Sequence, residues 1–444
     1  MTLTSTQTRW AAEPTHPSTR SWDWPSPWID CPSTQVTESP TESPTAMRGS
    51  TRCGADAPQV ALDGDSRDPS TLAARPVCGP SALTRMYVER GVSPWLDHLS
   101  RDDLLNGSLS RMIAAGVRGV GDGQAGLTRS REVSAGYDEQ LSWLMGTGCT
   151  AHEAYWELAA TDTQAACALL APVYEMSQGT DGYVSVQVAP AQPGRTHASM
   201  AAICQLHRRI DRPNLLVAIP ATASGVQALR ATVSAGCNIN ATSIFSVARY
   251  AAVVDAYQTG LEAFVARGGD PTTVHGLASF SLSPVDAEVD RRIEELGSKG
   301  PLELRGLAAV SQAALACQLF EDQFSTERWA RLARQGATPQ RLVWACTATG
   351  HEPDHIQPYF DALSVPNTVH LLSASSVATL NKRGLMEPAP RINPPEAAGV
   401  VSNLAALGID LDKVAAALDR QSSALAQDSL ADALDRLSAK SWQR

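Results

Sequence analysis

The stretch "DRPNLLVAIPATASGVQALRATVSAGCNINATSIFSVARYAAVVDAYQTGLEAF" (residues 211–264) decides the fold. "LLVAI" at 215–219 is a short apolar run between Asn214 and Pro220, which is how a strand buried on both faces reads. A helix-like run follows from near Gly225 and stops at Gly236, where a helix C-cap is expected. A second short strand follows at 238–242, and then a long amphipathic segment over 245–267.

The same alternation extends in both directions. The pattern predicts further strands near 93–96, 117–120, 183–188, 274–280, 342–346 and 368–371. It predicts helices over 100–115, 153–177, 195–209, 302–321 and 411–438, with Gly116 as a second C-cap glycine. Short buried strands alternating with helices mean an α/β protein with a parallel sheet. Eight such units imply a closed (β/α)8 barrel of the TIM type with additional helices; an open, doubly wound sheet is the other architecture with this signature. Residues 85–444 carry the pattern, whereas residues 1–84 are rich in Ser, Thr and Pro and read as a disordered extension. Within that extension, Trp22, Trp24 and Trp28 form an aromatic cluster that reads either as a docking motif for a protein partner or as unselected tail.

Composition narrows the classes of function. The 444 residues are 43% hydrophobic and carry a net charge of −10, which argues against nucleic acid or an anionic membrane as partner. No apolar run approaches the ~18 residues of a membrane span. No basic region followed by an apolar core opens the chain, so no secretory signal is expected. The nine cysteines are scattered without a C-x-x-C pair, as expected of reduced thiols in a cytoplasmic protein. There are only four lysines, Lys299, Lys382, Lys413 and Lys440, so residues 1–298 contain no side-chain primary amine.

Three motifs point to no cofactor or metal. "GDGQAG" (121–126) matches G-x-G-x-x-G, but Glu139, at the offset of the acidic partner, lies in a helical stretch; a strand-to-helix loop is the better reading. "HEPDH" (351–355) matches H-E-x-x-H, but Pro353 interrupts the helix that would put both histidines on one face. No G-x-S-x-G is present.

In a barrel of this type the chemistry sits at the C-terminal strand ends. The residues there are Asp97, "GDGQ" (121–124), Gln187, Ala218, Asn240, Thr242, Ser279, Ser281 and "WACT" (344–347). Asp97 reads equally as a general acid or base and as a carboxylate stabilising the following helix.

Together these blocks bring a family into view. "GVSPWLDHLSRDDLLNGSLSRMI" (91–113), "YDEQL" (137–141), "DRPNLLVAIPAT" (211–222), "NINATSIFSVARYAAVVDAYQTGLE" (238–262), "ASFSLSPVDAEVDRRIEELGS" (278–298) and "LGIDLDKVAAALD" (407–419) resemble, in order, a bacterial transaldolase of the actinobacterial type. The likeness runs over about residues 85–435. It implies ancestry in the pentose phosphate pathway and transfer of a dihydroxyacetone unit between sugar phosphates, without cofactor. In that reaction a strand-four lysine forms a Schiff base with the donor ketone. By resemblance, Asp97, Asn240 and Thr242 match the family's retained catalytic residues, with Ser246 and Ser279 on the substrate side. The departures fall in the chemistry. Ala218 stands for the Schiff-base lysine, Gly123 and Gln124 for an Asn-Pro pair, and Gln187 for a glutamate. Pro284 stands for a phosphate-binding arginine, and Gly350 lies near a second basic position.

Three functions are compatible with this pattern. One is a catalytically silent homologue, a pseudoenzyme that binds a sugar phosphate, another small molecule or a protein partner. Another is a barrel repurposed for chemistry without a Schiff base, using Asp97, Asn240, Thr242 and His98. The third is a working transaldolase acting on sedoheptulose 7-phosphate and glyceraldehyde 3-phosphate.

Overall fold

The computed structural model describes residues 80–121, 125–128, 133–187, 196–297, 301–345, 359, 362–385 and 392–442. The strands are β1 (Ser93–Leu96), β2 (Val184–Gln187), β3 (Leu215–Pro220), β4 (Ile239–Ile244), β5 (Gly276–Ser281), β6 (Arg341–Ala345) and β7 (Val369–Leu372). All pair in parallel, in the order β1-β7-β6-β5-β4-β3-β2. The gap between β1 and β2 is closed by the chain at 118–121, where Val120 bridges Leu96 on one side and Val184 on the other. Leu96 N donates to Gly119 O (2.9 Å) and Gly121 N to Leu96 O (2.7 Å). On the other flank Val120 N donates to Tyr183 O (2.9 Å) and Ser185 N to Val120 O (2.9 Å). The result is an α/β TIM-type barrel in which 118–121 takes the second strand position and β3 the fourth.

The alternation along each strand sorts its side chains. Val217, Ile219, Ile239 and Ala241 face the surrounding helices. Trp95, Tyr183, Leu216, Leu277, Val343 and Leu371 fill the barrel interior. Gly119 is required there, since a Cβ on it would lie 2.4 Å from the Trp95 ring.

Below this layer, at the N-terminal end of the barrel, Asp181 is fully buried and collects the indole N–H of Trp95 (3.1 Å), the hydroxyl of Ser93 (2.9 Å), Arg118 (2.8 Å) and Arg341 (3.2 Å). Arg118 also lies 3.7 Å above the Tyr87 ring. Burial pushes the Asp181 carboxyl up, but the charges of Arg341 and Arg118 outweigh burial and hold it below the ordinary value.

The helices follow the sequence with local exceptions. Thr222 caps the helix Ala223–Ser234, its hydroxyl accepting from Gly225 N (3.1 Å). A Cβ on Gly225 would meet Pro220 O at 1.8 Å, so the turn from β3 into this helix needs glycine. The continuous helix predicted over 100–115 is two helices, Arg101–Leu105 and Ser108–Ala114, because Gly107 takes a left-handed φ of 71° between them. The helix predicted over 302–321 is a short 3-10 turn, Leu302–Leu304, followed by Ala308–Phe324. The last helix, Leu411–Trp442, buries Ala433 and Leu437 in a cluster with Tyr137, Leu141, Tyr155 and Leu158.

Among the described residues, no helix is long and apolar enough to cross a membrane. Cys167, Cys204, Cys237 and Cys317 form no disulfide. Cys149 departs from the expectation of reduced thiols: it is disulfide-bonded.

Replacing Asp181 by Asn should test the lower plug. The change strands two arginines beside a neutral amide, and loss of one partner from a buried charge cluster costs about 3–5 kcal/mol. Because the folded-state value is depressed, the wild-type contribution is present above the unfolded Asp pKa of about 3.9 and is lost as pH falls through the folded value. Urea denaturation at pH 7 should show the loss, and Asp181→Asn should flatten the acid limb of the stability profile.

Candidate functional site

Register brings the predicted residues to one level. Gln187 pairs with Ala218, and Ala218 with Asn240. By alternation Ala218 shares the inward face of Leu216, and Gln187, Asn240 and Ser279 share the inward faces of β2, β4 and β5. Asp97 follows β1 at the same end, its backbone N–H donating to Leu372 O (2.8 Å). A Cβ on Gly121 would sit 2.8 Å from the Leu371 side chain and 3.2 Å from Asp97 O, so the second strand position reaches this level without a side chain.

The centre of the site is a chain of neutral polar groups. Asn240 accepts from the Ser279 hydroxyl at Oδ1 (2.7 Å) and donates from Nδ2 to Ser185 Oγ (3.2 Å). All three side chains are buried. Ser185 and Asn240 lie on β2 and β4, with β3 between them contributing Leu216 and Ala218. The Asn240–Ser185 bond therefore passes across the inner face of β3, where the smallest inward side chain is the methyl of Ala218. Ser185 was missed by reading the sequence, although its position two residues before Gln187 puts it on the same face.

β4 ends irregularly. The register with β5 shifts between Ala241 and Ile244, and Ser243 adopts φ 56°, a left-handed conformation unusual for a residue with a side chain. Its hydroxyl lies 3.4 Å from that of Ser422 on the last helix. Thr242, just before it, is held by its carbonyl, which accepts from Ala221 N (2.7 Å). The Thr242 hydroxyl is buried and has no hydrogen-bond partner among the described residues.

The remaining candidates divide. Asp97 is buried, with Oδ2 3.3 Å from His98 Nδ1. The helix that follows is capped instead by Ser100 in a capping box with Asp103, which leaves Asp97 outside the first turn. Ser246 is the N-cap of the helix Val247–Ala266, accepting from Arg249 N (3.2 Å). Gln312, not singled out from sequence, clasps this corner by donating to Phe245 O (3.1 Å) and accepting from Val247 N (3.2 Å). Trp344 and Phe280 face outward with ring centroids 5.7 Å apart and tilted by 53°, in the shell around the barrel rather than its mouth. Pro284 lies in the first turn of the helix Leu282–Glu295. Gly123, Gln124, Gly350 and the "HEPDH" segment lie outside the described residues.

No described lysine reaches a strand end. Lys382 is exposed on the helix Ala374–Arg383, and Lys413 pairs with Asp410 at 3.7 Å. Lys440 is committed to Val133 O (2.7 Å), Ser134 O (3.0 Å) and Asp138 (2.6 Å). Among the described residues no cluster of His, Cys, Asp or Glu could hold a metal.

A closed parallel barrel with a carboxylate, amides and hydroxyls gathered at its C-terminal strand ends defines a TIM-barrel protein with a polar site at the end where such barrels carry their chemistry. Comparison with known proteins makes this specific: residues 94–437 match the family model described as transaldolase/fructose-6-phosphate aldolase, and the chain belongs to that family. It is 37% identical over 361 residues to "Transaldolase 2" of Streptomyces coelicolor, covering 81% of this chain and 97% of that protein. It is 37% identical to a transaldolase of Parafrankia (78% and 95% covered) and 38% identical to one of Thiobacillus denitrificans (76% and 94% covered).

If the Asn240 chain is a unit, its members should not act independently. Asn240→Ala leaves the Ser185 and Ser279 hydroxyls without that partner and should cost about 1–3 kcal/mol. Adding Ser279→Ala should then cost much less than it does alone, a coupling measurable in a double-mutant denaturation cycle. Strictly additive losses would mean that the two side chains are not bonded.

Proposed function

We propose that this chain is a transaldolase-family barrel that has lost Schiff-base dihydroxyacetone transfer while keeping the family's polar strand-end pocket. One observation carries the reading: the fourth strand position presents Ala218, buried between Gln187 and Asn240 in register, and a methyl cannot form an imine. The rest of the set moves with it. Gln187 keeps the shape of a glutamate but has no proton to exchange at neutral pH, Gly123 offers no amide, and Pro284 offers no cation. Among the described lysines, the exposed position of Lys382 and the engagement of Lys413 and Lys440 elsewhere support the absence of a recruited amine. Ancestry supplies the ligand class to begin from, a sugar phosphate or a related small molecule, and a role beside a protein partner is compatible with a silent site. The same ancestry supports a cytoplasmic setting, against which the Cys149 disulfide stands.

A second reading, a repurposed enzyme, draws on the Asp97–His98 contact at 3.3 Å, which could move a proton without any lysine.

Incubation with fructose 6-phosphate and erythrose 4-phosphate should give no sedoheptulose 7-phosphate, and borohydride should trap no donor sugar. Losing a covalent nucleophile can cost on the order of 10⁶ in turnover, so activity within a few hundredfold of an active relative would sink the proposal. Ala218→Lys alone should restore little. The longer chain enters a space crossed by the Asn240–Ser185 bond and meets neither the glutamate, the asparagine nor the arginine of the family's reaction. Substantial rescue by that one change would mean that the other departures are incidental.

A further inference from the structure

We infer that the last helix, Leu411–Trp442, roofs the strand-end pocket, and that the grip of Arg436 and Lys440 on its far end controls what reaches the pocket. The inference goes beyond the reading above and does not depend on it, because it concerns access and holds whether or not a ligand is turned over.

The helix is fixed at two separate places. At its start Val414, Ala415 and Leu418 join the apolar shell around the barrel, beside Leu404 and Ile409. The next turn reaches the end of β4: Asp419 pairs with Arg249 (3.3 Å), and the Ser422 hydroxyl lies 3.4 Å from that of Ser243. At the far end Ala433 and Leu437 are buried in a smaller cluster with Leu127 and Tyr137. There Arg436 donates to Leu127 O (3.2 Å) and Thr128 O (3.4 Å). Lys440 donates to Val133 O (2.7 Å) and Ser134 O (3.0 Å) and pairs with Asp138 (2.6 Å). These partners follow Gly121, the C-terminal end of the second strand position.

Between Ser422 and Arg436 the helix is a rod of about 21 Å, at a rise of about 1.5 Å per residue. One end stands at β4 and the other beyond the second strand position; β2 and β3 are the strands between them in the ring. A straight rod joining two points of a ring runs inside the arc between them. The helix therefore crosses the strand-end face on the side of Gln187 and Ala218.

The middle of the rod is built differently from its ends. From Asp419 to Asp432 no residue is buried. Ser422, Ala426 and Ser429 are partly covered, whereas Leu425, Gln427 and Asp428 are exposed. Spaced by four and three, the covered positions continue as Ala433, Arg436 and Lys440, so one face runs the length of the bridge. That face is turned to the barrel, because its last three members are buried or bonded there. Its middle presents two hydroxyls and a methyl, which roof the pocket without plugging it. Of the two ends, the near one is set in the main apolar shell, while the far one depends on the polar grip of two cations. The far end is thus the one that opens locally.

The test places a reporter thiol at the mouth of the full-length chain, Gln187→Cys. Iodoacetamide labelling is read by peptide mass spectrometry, which separates this position from the native cysteines. With the helix intact, position 187 should label more slowly than native Cys204 on the outer helix Thr196–Ile210. Arg436→Met with Lys440→Met keeps the apolar stems and removes the cationic donors. This pair of changes should speed labelling at position 187 about tenfold, as the open population rises, and leave Cys204 unchanged. Hydrogen exchange should rise over residues 430–442 and stay the same over 411–418. Asp138→Asn loosens the grip from the other side without touching the helix, and should shift labelling in the same direction by a smaller factor. Three results overturn the inference: labelling at position 187 as fast as at Cys204 in the intact helix, unchanged labelling although 430–442 exchanges freely, and unchanged exchange over 430–442 in both anchor variants.

Discussion

Everything at the mouth depends on ring closure by residues 118–121. This segment is too short to count as an ordinary strand, yet it donates to and accepts from both β1 and the start of β2. Without it the sheet would be open, Asp97 and Gln187 would lie at opposite edges, and no concave site would exist. Closure has a steric condition. Two inward positions on the segment, Gly119 and Gly121, carry no side chain, because Trp95 and Leu371 occupy the space a Cβ would need. The second strand position thus contributes backbone alone to the barrel interior.

Stability and chemistry are held at opposite ends of the same barrel. The lower end is a saturated charge cluster in which Asp181 is bound by two arginines, an indole and a hydroxyl. The middle is a layer of large apolar side chains. Neither involves Ala218, Gln187 or Pro284. Substitutions at the strand ends can therefore accumulate while the fold is kept, because the interactions that close and plug the barrel are not among those that bind a substrate.

The fold was legible from the sequence because it depends on patterning. The apolar runs at 215–219 and 238–242, with glycines where helices stop, already specify parallel strands and crossovers, and β3 and β4 lie there. What escaped was local backbone geometry: the break at Gly107, the 3-10 turn before Ala308 and the bulge around Ser243 depend on single φ values that periodicity does not encode. The site was legible in part. Residue type and strand position brought Asp97, Ala218, Asn240 and Ser279 to one end, but type alone did not separate a ligand group from a cap. Ser246, expected on the substrate side, also caps a helix N-terminus, while Ser185, on an unremarked strand position, is bonded to the central amide.

Ala218 is better understood through its neighbours than through the lysine it replaces. A lone alanine in an otherwise charged pocket would be a lesion, since the remaining carboxylate and arginine would be left without purpose and partly unpaired. Here the inward groups on the neighbouring strands are neutral: an amide at 187, and a second amide at 240 already satisfied by two hydroxyls, those of Ser185 and Ser279. Burial of such groups is tolerable only because they bond one another. The bond from β4 to β2 passes across the strand that carries the methyl, so the small side chain is part of the arrangement that satisfies the amide. Ser185, Asn240 and Ser279 are therefore mutually consistent as uncharged groups, and the Thr242 hydroxyl, which has no partner among the described residues, is of the same uncharged kind.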